Sequence, residues 1–373
     1  MKICFLMVSH WTGTVGGAEL QVRYIMDYLH RHTSHELSMI CRHSKVESEY
    51  GAPILRTHAP PVLRRYLKSA DYWSVRELLR RIDPDVVYSR VCSPFAGIAA
   101  RHCRQFDRKL IYHIAHVQDV TPLRASTLRR LPKKLERPLY EYGLRRADVI
   151  IGQAKYQDDL LWRHYRRRCA AIVPNVHPDP GDVSKASGKT TVMWVASLKE
   201  PKRPELFVEL ARRFGGNPSV EFVMVGPVQD PRYLGLAETI RSMGNLRYLG
   251  EQPVEEVNRL LEGAHLFVNT STSNAEGFPN SFIQSWLRRV PTVSLDVDPD
   301  DLLQSRGLGV CAGGSFERLV EVIQSLVSSP ARMSSMGTAA REFALATHGL
   351  DNLRELVRLI EAPLPARTPT SRA

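Results

Sequence analysis

Residues 266–289 read LFVNTSTSNAEGFPNSFIQSWLRR. The first residues are apolar enough for a buried strand, and the last ones, from Phe282 to Arg289, repeat apolar side chains at helical spacing. The residues between them are mostly Ser, Thr, Asn, Gly and Pro, which favour loops and the first turn of a helix. A loop that joins a buried strand to a helix is the connection from which parallel α/β sheets are built. The stretch therefore predicts an α/β fold.

The same loop carries groups that suit a phosphorylated sugar. Pro279 near the helix start, with Asn280 and Ser281 as caps, would leave backbone N–H groups directed at an anion. Glu276, just before that turn, could accept hydrogen bonds from sugar hydroxyls. An ordinary capped helix with a surface glutamate explains the same residues, so both interpretations stay open at this point.

The chain has 373 residues, which is long enough for two domains. Short apolar runs alternate with helical patterns along both halves, and this rhythm predicts two doubly wound sheets of parallel strands. Turn residues at 173–175 and a polar stretch at 179–190 place the linker between them. We therefore predict an N-terminal domain over residues 1–175, a C-terminal domain over 176–345, and a C-terminal helix with a frayed tail over 346–373.

The composition, with 43% hydrophobic and 24% charged residues, is that of a soluble globular protein. No apolar run reaches the roughly 18 residues that a membrane-spanning helix needs, and the first run, residues 3–8, is too short for a signal-peptide core. Six cysteines without a Cys-x-x-Cys pair favour reduced thiols over disulfides or zinc. We therefore expect a cytoplasmic protein.

Positive charge is concentrated in the first half: residues 1–175 contain 30 Lys and Arg against 16 Asp and Glu, and the remainder contains 21 against 23. The basic stretch from Arg124 to Arg146 interleaves its cations with leucines, which favours peripheral contact with an anionic membrane. A helix pair whose leucines pack inward explains the pattern equally well. No signature of a nucleic-acid-binding fold accompanies the charge, so we expect no nucleic-acid partner.

A glycine loop leads from the first predicted strand into a helix. Gly16 and Gly17 lack a Cβ, so the backbone N–H groups there can approach a phosphate closely, and the helix dipole favours an anion at this end. The loop has neither the G-x-G-x-x-G spacing of a dinucleotide site nor the GK[ST] of a P-loop. A plain tight turn explains it as well.

In combination these segments resemble the family 4 retaining glycosyltransferases, whose fold is GT-B. The resemblance covers residues 1 to about 350. Five segments carry it in the right order: Gly16-Gly17-Ala18-Glu19, Ala147-Asp148-Val149-Ile150-Ile151, Val173-Pro174-Asn175, Val195-Ala196-Ser197-Leu198 with Lys202, and Glu276-Gly-Phe-Pro-Asn followed by Val290-Pro-Thr-Val. The last is similar to the donor-site motif of the family, and the fourth is similar to its phosphate-binding strand and loop.

The resemblance implies two Rossmann-like domains that face each other across a cleft, with the C-terminal helix crossing back to the N-terminal domain. It implies a hexosyltransferase of polysaccharide biosynthesis that takes an NDP-sugar, needs no cofactor and no metal, and retains the anomeric configuration. The acceptor would be a surface glycan or a lipid-linked glycan. The enzyme would work in the cytoplasm or at the inner face of the cell membrane.

The resemblance also assigns roles to residues. Lys202 would neutralise the donor phosphate, and Glu276 would bind the hydroxyls of the donor sugar. His116 matches a histidine near the transferred sugar, although a histidine satisfied at a strand end explains it too. The other residues expected to bind the donor are Gly16, Gly17, Ser197, Gly277, Phe278, Pro279, Asn280, Ser281 and Gln284.

Two positions depart from the family pattern. Gln284 stands where the family has a second Glu that accepts ribose hydroxyls, and an amide keeps one acceptor oxygen but loses the charge. Ser197 stands where the family has an Arg, which leaves Lys202, with Lys199 or Arg203 as substitutes, to balance the diphosphate. These departures keep two alternatives open: another GT-B enzyme such as a sugar-nucleotide epimerase, and a catalytically silent sugar-binding subunit.

Overall fold

The structure is a computed structural model that describes residues 1–13, 16–122, 131–185, 188–273 and 276–367. The chain forms two compact units. The first comprises Met1–Val176 together with Leu350–Ala373, and the second comprises His177–Gly349. The C-terminal segment thus groups with the first unit. Residues 368–373 of the predicted frayed tail lie outside the described residues.

The first unit is built on a sheet whose strands are parallel except for one antiparallel pair at the edge. Its strands are β1 (Lys2–Leu6), β2 (Glu36–Cys41), β3 (Ser48–Glu49), β4 (Ala52–Arg56), β5 (Val86–Arg90), β6 (Lys109–His113), β7 (Val149–Gly152) and β8 (Ala171–Ile172). Their order across the sheet is β3-β4-β2-β1-β5-β6-β7-β8, with β3 antiparallel to β4. The chain moves outward from β1 through β2 and then resumes at β5, on the other side of β1. The winding direction therefore reverses between β1 and β5.

Helices cover both faces of this sheet. They are α1 (Gly17–His32), α2 (Pro61–Tyr66), α3 (Tyr72–Ile82), α4 (Phe95–Gln105), α5 (Val117–Val120), α6 (Leu131–Arg146) and α7 (Lys155–Tyr165). Because side chains alternate along a strand, Ile3 and Phe5 enter one core while Cys4 and Leu6 enter the other. Burying each large apolar side chain contributes about 1.5–3 kcal/mol.

The second unit has a smaller sheet in which all strands are parallel. Its strands are β9 (Thr190–Val195), β10 (Val220–Val225), β11 (Leu246–Tyr248), β12 (Leu266–Asn269), β13 (Thr292–Ser294) and β14 (Gly309–Cys311), and its helices are α8 (Pro204–Arg213), α9 (Leu236–Arg241), α10 (Val254–Gly263), α11 (Asn280–Leu287), α12 (Leu302–Ser305), α13 (Phe316–Val327) and α14 (Pro330–His348). The strand order is β11-β10-β9-β12-β13-β14. Here the winding direction reverses between β9 and β12.

The last helix, α15 (Leu353–Glu361), packs on the first unit. Its apolar face, including Leu356 and Ile360, is buried in the same core as Ile3 and Phe5. The Lys109 ammonium donates to the carbonyls of Leu359 at 3.2 Å and Ile360 at 2.8 Å, where the C-terminus of the helix leaves its carbonyls without helical partners. Apolar burial and this cation together fix the C-terminal segment.

The structure describes only part of the basic stretch that is predicted to contact a membrane. Residues 123–130, which include Arg124, Arg129 and Arg130, lie outside the described residues. Further along, the Arg137 side chain is buried, and its guanidinium donates to the carbonyls of Gln118 at 3.0 Å and Thr121 at 2.7 Å. The neighbouring apolar side chains, Tyr140 and Leu144, belong to the core.

In the described part of α6, Arg137 is therefore turned inward together with Tyr140, whereas Arg145 is exposed. A guanidinium can donate hydrogen bonds to loop carbonyls inside the unit. The sequence pattern is the same for such a buried arginine and for an exposed one. Lys134 and Leu135 do remain exposed. In the described residues no helix has the length and apolar character needed to cross a membrane.

Candidate active site

In doubly wound sheets, ligands bind outside the carboxyl ends of the strands, at the point where the winding direction reverses. In the second unit this point lies between β9 and β12. The loops that follow these two strands are residues 196–203 and 270–279. They contain Lys202 and Glu276, the two residues with the most specific predicted roles. The topology thus brings together segments that are about 70 residues apart in the sequence.

The first of these loops is shaped by a close approach of two backbone segments. A Cβ on Gly226 would lie 1.8 Å from the carbonyl oxygen of Ala196, and Gly226 has a φ of +143°. Only glycine fits such a position. The loop then makes a 3₁₀ turn over Glu200–Lys202, and α8 begins at Pro204, a favoured residue at the first helical position.

Hydrogen bonds tie the two loops to each other. Arg203 donates from Nε to the carbonyl of Thr270 at 2.6 Å and from Nη2 to the carbonyl of Ser271 at 2.9 Å. In return the Thr270 hydroxyl donates to the carbonyl of Lys202 at 2.7 Å. Arg203 is one of the predicted substitutes for the family arginine, and Nε and Nη2 of its guanidinium are engaged in holding the second loop.

Lys202 and Glu276 are in direct contact through Lys202 Nζ and Glu276 Oε1. The Ser271 hydroxyl donates to the same carboxylate oxygen at 2.9 Å. Only 16% of the Lys202 side chain and 13% of the Glu276 side chain are exposed. Burial, with a smaller contribution from Lys199, lowers the pKa of Lys202 to about 7, while the adjoining carboxylate favours the charged ammonium. The charge on this lysine therefore depends on keeping an anion beside it.

The Gly277–Pro279 turn is buried and leads directly into α11. The ring of Phe278 packs 4.8 Å from the ring of His348 and 5.9 Å from that of Trp286, measured between centroids. These contacts fix the backbone of the turn. Pro279, the N-cap residue of α11, makes no side-chain hydrogen bond to the first turn, whose N–H groups carry a positive partial charge.

Two predicted donor-binding side chains have partners within the second unit. Asn280 Oδ1 lies 3.1 Å from Nε2 of His177, whose pKa burial lowers to about 3, so the neutral imidazole donates this bond. Gln284 is 6% exposed and donates from Nε2 to Oδ1 of Asn258 at 2.9 Å. Ser197 and Ser281 are both half-buried.

Sequence reasoning missed the polar residues that support the glutamate. The indole N–H of Trp194 donates to the Thr270 hydroxyl at 2.9 Å, and the Ser271 amide donates to Oδ1 of Asn269 at 3.1 Å. These bonds fix the start of the loop, and Ser271 then reaches Glu276. The signal available was the polar run after β12, which is longer than a turn requires.

In the first unit, α1 begins at Gly17, and Gly16 stands at its N-cap in an extended conformation. The carboxylate of Glu19 folds back over Gly16, where a Cβ would lie 2.4 Å from Glu19 Oε2. Burial raises the pKa of this carboxyl. Thr14 and Val15, in the middle of the glycine loop, lie outside the described residues. That Gly16 and Gly17 bind the donor stays a prediction.

Two family profiles match the chain. The profile of the glycosyltransferases of family 4 matches residues 15–176, and that of the glycosyl transferases of group 1 matches residues 189–329. The chain belongs to the family 4 glycosyltransferases. The predicted family and the predicted class of enzyme, a glycosyltransferase, are thereby confirmed.

Solved structures resemble this glycosyltransferase over nearly its whole length. Sucrose-phosphate synthase from Thermosynechococcus elongatus has a TM-score of 0.76 at 15% identity and covers 96% of this chain and 99% of its own. HepE of Anabaena has a TM-score of 0.75 at 16% identity, with coverages of 96% and 99%. WaaG, a glycosyltransferase involved in lipopolysaccharide biosynthesis, has a TM-score of 0.74 at 14% identity, with coverages of 97% and 100%. These likenesses confirm the predicted GT-B fold.

His116 of this glycosyltransferase lies at the carboxyl end of β6, where it caps α5. Its Nδ1 accepts the backbone N–H of Gln118 at 3.1 Å, so the neutral ring carries its proton on Nε2. Asp119 fixes the same turn, accepting the N–H groups of Ala115 at 2.7 Å and Cys92 at 3.0 Å. The imidazole is therefore held in one orientation and one tautomer, whether or not it touches substrate.

Among the described residues of the glycosyltransferase, no group of three or more His, Cys, Asp and Glu side chains is arranged to hold a metal ion. The six cysteines are all free thiols. The roles assigned to Lys202, Glu276 and His116 stay predictions, and what the geometry adds is the contact between the first two.

Proposed function

We propose that this enzyme transfers a sugar from a nucleoside diphosphate sugar to a glycan or lipid-linked acceptor, with retention of configuration and without a metal ion. The contact between Lys202 and Glu276 carries the proposal. An ammonium suits a diphosphate and a carboxylate suits sugar hydroxyls. Because the two groups touch, a donor whose diphosphate contacts Lys202 and whose sugar hydroxyls contact Glu276 would have its sugar–phosphate bond beside this pair.

The donor base is the least constrained part of the proposal. HepE has been solved with UDP and with UDP-glucose, which supports a uridine nucleotide here by analogy of fold. Gly226 makes the close approach beside β9, and the Tyr248 hydroxyl donates to its carbonyl at 2.7 Å. This region lies at the carboxyl edge next to Lys202 and is where we expect the base to bind.

The proposed reaction breaks the bond between C1 of the donor sugar and the diphosphate oxygen. The acceptor oxygen forms the new bond to C1 on the same face, and its proton passes to an oxygen of the departing diphosphate. Lys202 and the N–H groups of the first turn of α11 would stabilise the negative charge that develops on that diphosphate, the part that a divalent cation plays in other enzymes. Glu276 would hold the sugar.

Contact with an anionic membrane is proposed for the exposed part of the predicted basic stretch and for helix α2, which the sequence did not indicate. The short helix α2 exposes Val62 (74%), Leu63 (52%) and Tyr66 (62%), and Leu135 on α6 is 66% exposed. Apolar side chains next to basic ones suit the interface of an acidic bilayer. A cytoplasmic enzyme acting on a lipid-linked acceptor at the inner membrane face would use such a surface.

The deciding experiment measures donor binding and stereochemistry together. UDP, GDP, ADP, TDP and CMP are screened by thermal shift with and without EDTA, since a ligand that binds the native state raises its stability. We expect one diphosphate to raise the melting temperature equally in both conditions and Lys202→Met to abolish that rise. Proton NMR of the product made from the matching NDP-sugar then gives the anomeric configuration. A shift that disappears in EDTA, or an inverted product, would contradict the proposal.

A catalytically silent sugar-binding subunit is the second candidate. The observation that favours it is Gln284, whose amide is engaged with Asn258 and lacks the charge of the family glutamate. This candidate predicts sugar binding without release of nucleotide. Hydrolysis or transfer of any NDP-sugar by the purified protein, lost in Glu276→Gln, excludes it.

A further inference from the structure

The carboxyl edge of the first unit holds an open pocket of about 1020 Å³ beside β1, β2 and β4. Every residue that lines it belongs to the first unit, whereas Lys202 and Glu276 belong to the second. The lining residues are Gly13, Arg42, His43, Ser44, Lys45, Arg56, Thr57, His58 and Arg64. Several segments distant in sequence thus contribute cations to one concave surface.

The charges of this pocket are not balanced. Arg42 has a buried partner, since its Nε lies 2.5 Å from Oδ2 of Asp71, and both side chains are almost fully enclosed. Arg64 Nε lies 4.0 Å from the other oxygen of the same carboxylate. One carboxylate therefore serves two guanidinium groups.

The remaining cations have even less compensation. Arg56 pairs only loosely with Glu47, at 3.5 Å, and the Glu47 side chain is 89% exposed and surrounded by solvent. Lys45 extends the positive surface at the rim. Burial and the nearby cations Arg64 and Arg42 lower the pKa of His43. Its ring therefore adds no charge at neutral pH.

A buried hydroxyl at the pocket wall points to a ligand. Thr57 is 1% exposed, and its Oγ1 has no hydrogen-bond partner among the described residues. A buried polar atom without a partner is destabilising, so a ligand that supplies the partner is favoured there. Thr57 follows β4 directly and lines the pocket next to Arg56, so a ligand in the pocket would be the nearest source of a partner for this hydroxyl.

We propose that this pocket binds a phosphoryl group of the acceptor. Arginine recognises phosphate and carboxylate oxygens through paired N–H donors, and a phosphoryl group has a further terminal oxygen, absent from a carboxylate, for the Thr57 hydroxyl. The pocket is larger than a phosphate and leaves room for the sugar that carries it. That the phosphoryl group belongs to the acceptor rests on the proposed function, whereas the binding of phosphate by this pocket does not.

The phosphoryl group has two sources, a lipid headgroup and a soluble phosphosugar. Arg64 lies on α2, whose other side chains include the exposed Val62, Leu63 and Tyr66. This adjacency suits a headgroup whose acyl chains lie in a membrane. A soluble glycan phosphate would fill the pocket without using that apolar surface.

The test uses the full chain and measures binding without any NDP-sugar. Glucose 6-phosphate and glucuronate are titrated by calorimetry, and vesicles of phosphatidic acid or phosphatidylcholine are used in co-sedimentation. The variants are Thr57→Val and Arg56→Gln. Arg247→Gln is the matched control, since its side chain is 62% exposed and lies 4.0 Å from Glu221 in the other unit. Lys202→Met reports any phosphate that binds at the donor site.

We expect Arg56→Gln to weaken binding of glucose 6-phosphate or of phosphatidic acid vesicles about tenfold, and Thr57→Val about fivefold, with Arg247→Gln and Lys202→Met unchanged. Loss with glucose 6-phosphate identifies a soluble phosphate, and loss with vesicles alone identifies a headgroup. Thr57→Val should keep or raise the melting temperature, because a methyl group replaces a hydroxyl without a partner. A structural hydroxyl would give the opposite result.

Three results overturn the proposal: no phosphate probe binds, glucuronate binds more tightly than glucose 6-phosphate, or binding disappears in Lys202→Met but not in Arg56→Gln. The outcome is independent of the proposed function. If no nucleotide binds while phosphate binding follows Arg56 and Thr57, the glycosyl-transfer proposal falls and the phosphate pocket stands. If transfer occurs while no phosphate probe binds, only the pocket proposal falls.

Discussion

The winding direction reverses at the carboxyl edge of both sheets, but the charged side chains at the two edges differ in burial and in pairing. In the second unit Lys202 and Glu276 are largely buried and neutralise each other. In the first unit Arg56 and Lys45 are exposed, and the nearby carboxylates are fewer than the cations. A buried charge is costly without a partner, whereas an exposed one is cheap. Under the two proposals, the second edge would suit a ligand with both a diphosphate and hydroxyls, and the first edge would suit an anion.

The largest effect is expected from breaking the pair in the second unit. Glu276→Gln should lower kcat by about 10² to 10³, the cost of losing one preorganised electrostatic group. Without the carboxylate, the buried Lys202 loses the anion that favours its charged form. Initial rates of transfer at saturating donor measure the change. The control is Glu238→Gln, an exposed glutamate on α9. A kcat within twofold of the wild type would remove Glu276 from the site.

The second prediction concerns His116, which would give the first edge a contact with the transferred sugar in addition to the anion site. His116 both caps α5 and is predicted to touch substrate. Asparagine is a good N-cap, so His116→Asn should keep the turn and the melting temperature while losing the imidazole, and His116→Ala should lose both. We expect kcat to fall about tenfold to a hundredfold in both variants.

The melting temperature separates the two roles of this histidine. If His116→Asn restores activity as well as stability, the residue acts only as a cap. In that case the first edge would have no described side chain acting on the transferred sugar, and the contrast with the second edge would become sharper.

Sequence alone was sufficient for the fold because the strands are apolar runs separated by helices, a rhythm that leaves few topologies. The resemblance also singled out Lys202 and Glu276, through motifs on two separate loops, and their roles stay predictions. It could not show that these two side chains touch, because their separation depends on β9 and β12 being neighbours in the sheet. Nor could it separate Arg203, which holds a loop, from Lys202, which faces the carboxylate.

The basic stretch shows a different limit of sequence reasoning. Arg137 and the exposed Lys134 lie in the same pattern, and only the positions of the carbonyls of Gln118 and Thr121 decide that one is buried. The pocket of the first unit was missed for a related reason. Its cations come from three segments without a shared motif, and they meet only because β2 and β4 are paired.

The third prediction concerns pH and the second edge. In the free enzyme Lys202 loses its proton as the pH rises through about 7, whereas a bound diphosphate requires the charged form. Affinity for the nucleotide should therefore be constant below this pH and fall above it, by at most about tenfold per pH unit. Lys202→Arg keeps its charge at every pH tested and should remove the slope. Calorimetry from pH 6 to pH 9 measures both proteins.

Comparison with the Lys202→Arg profile also cancels the titration of the nucleotide itself, because both proteins bind the same ligand. Parallel slopes for the two proteins would show that Lys202 stays charged throughout, held by Glu276. The folding equilibrium has the opposite sign to binding: a lysine pKa lowered from 10.5 to about 7 makes the unfolded chain bind more protons between these values, so stability rises with pH there.

The smallest effect is expected at Gln284, the departure from the family pattern. Its amide donates to Oδ1 of Asn258, and a rotation of the Asn258 amide would let Nδ2 donate to a carboxylate instead. Gln284→Glu should therefore raise the affinity for the donor nucleotide about twofold to fivefold, because the gain of a charged acceptor for ribose hydroxyls is offset by the burial of that charge. Gln284→Met, which has no acceptor, should lower it. Calorimetry with the nucleotide and with glucose 6-phosphate gives the decisive comparison: a change confined to the nucleotide assigns Gln284 to the donor site and leaves the first edge independent, whereas equal affinities in all three proteins would mean that the Gln284 amide serves only Asn258.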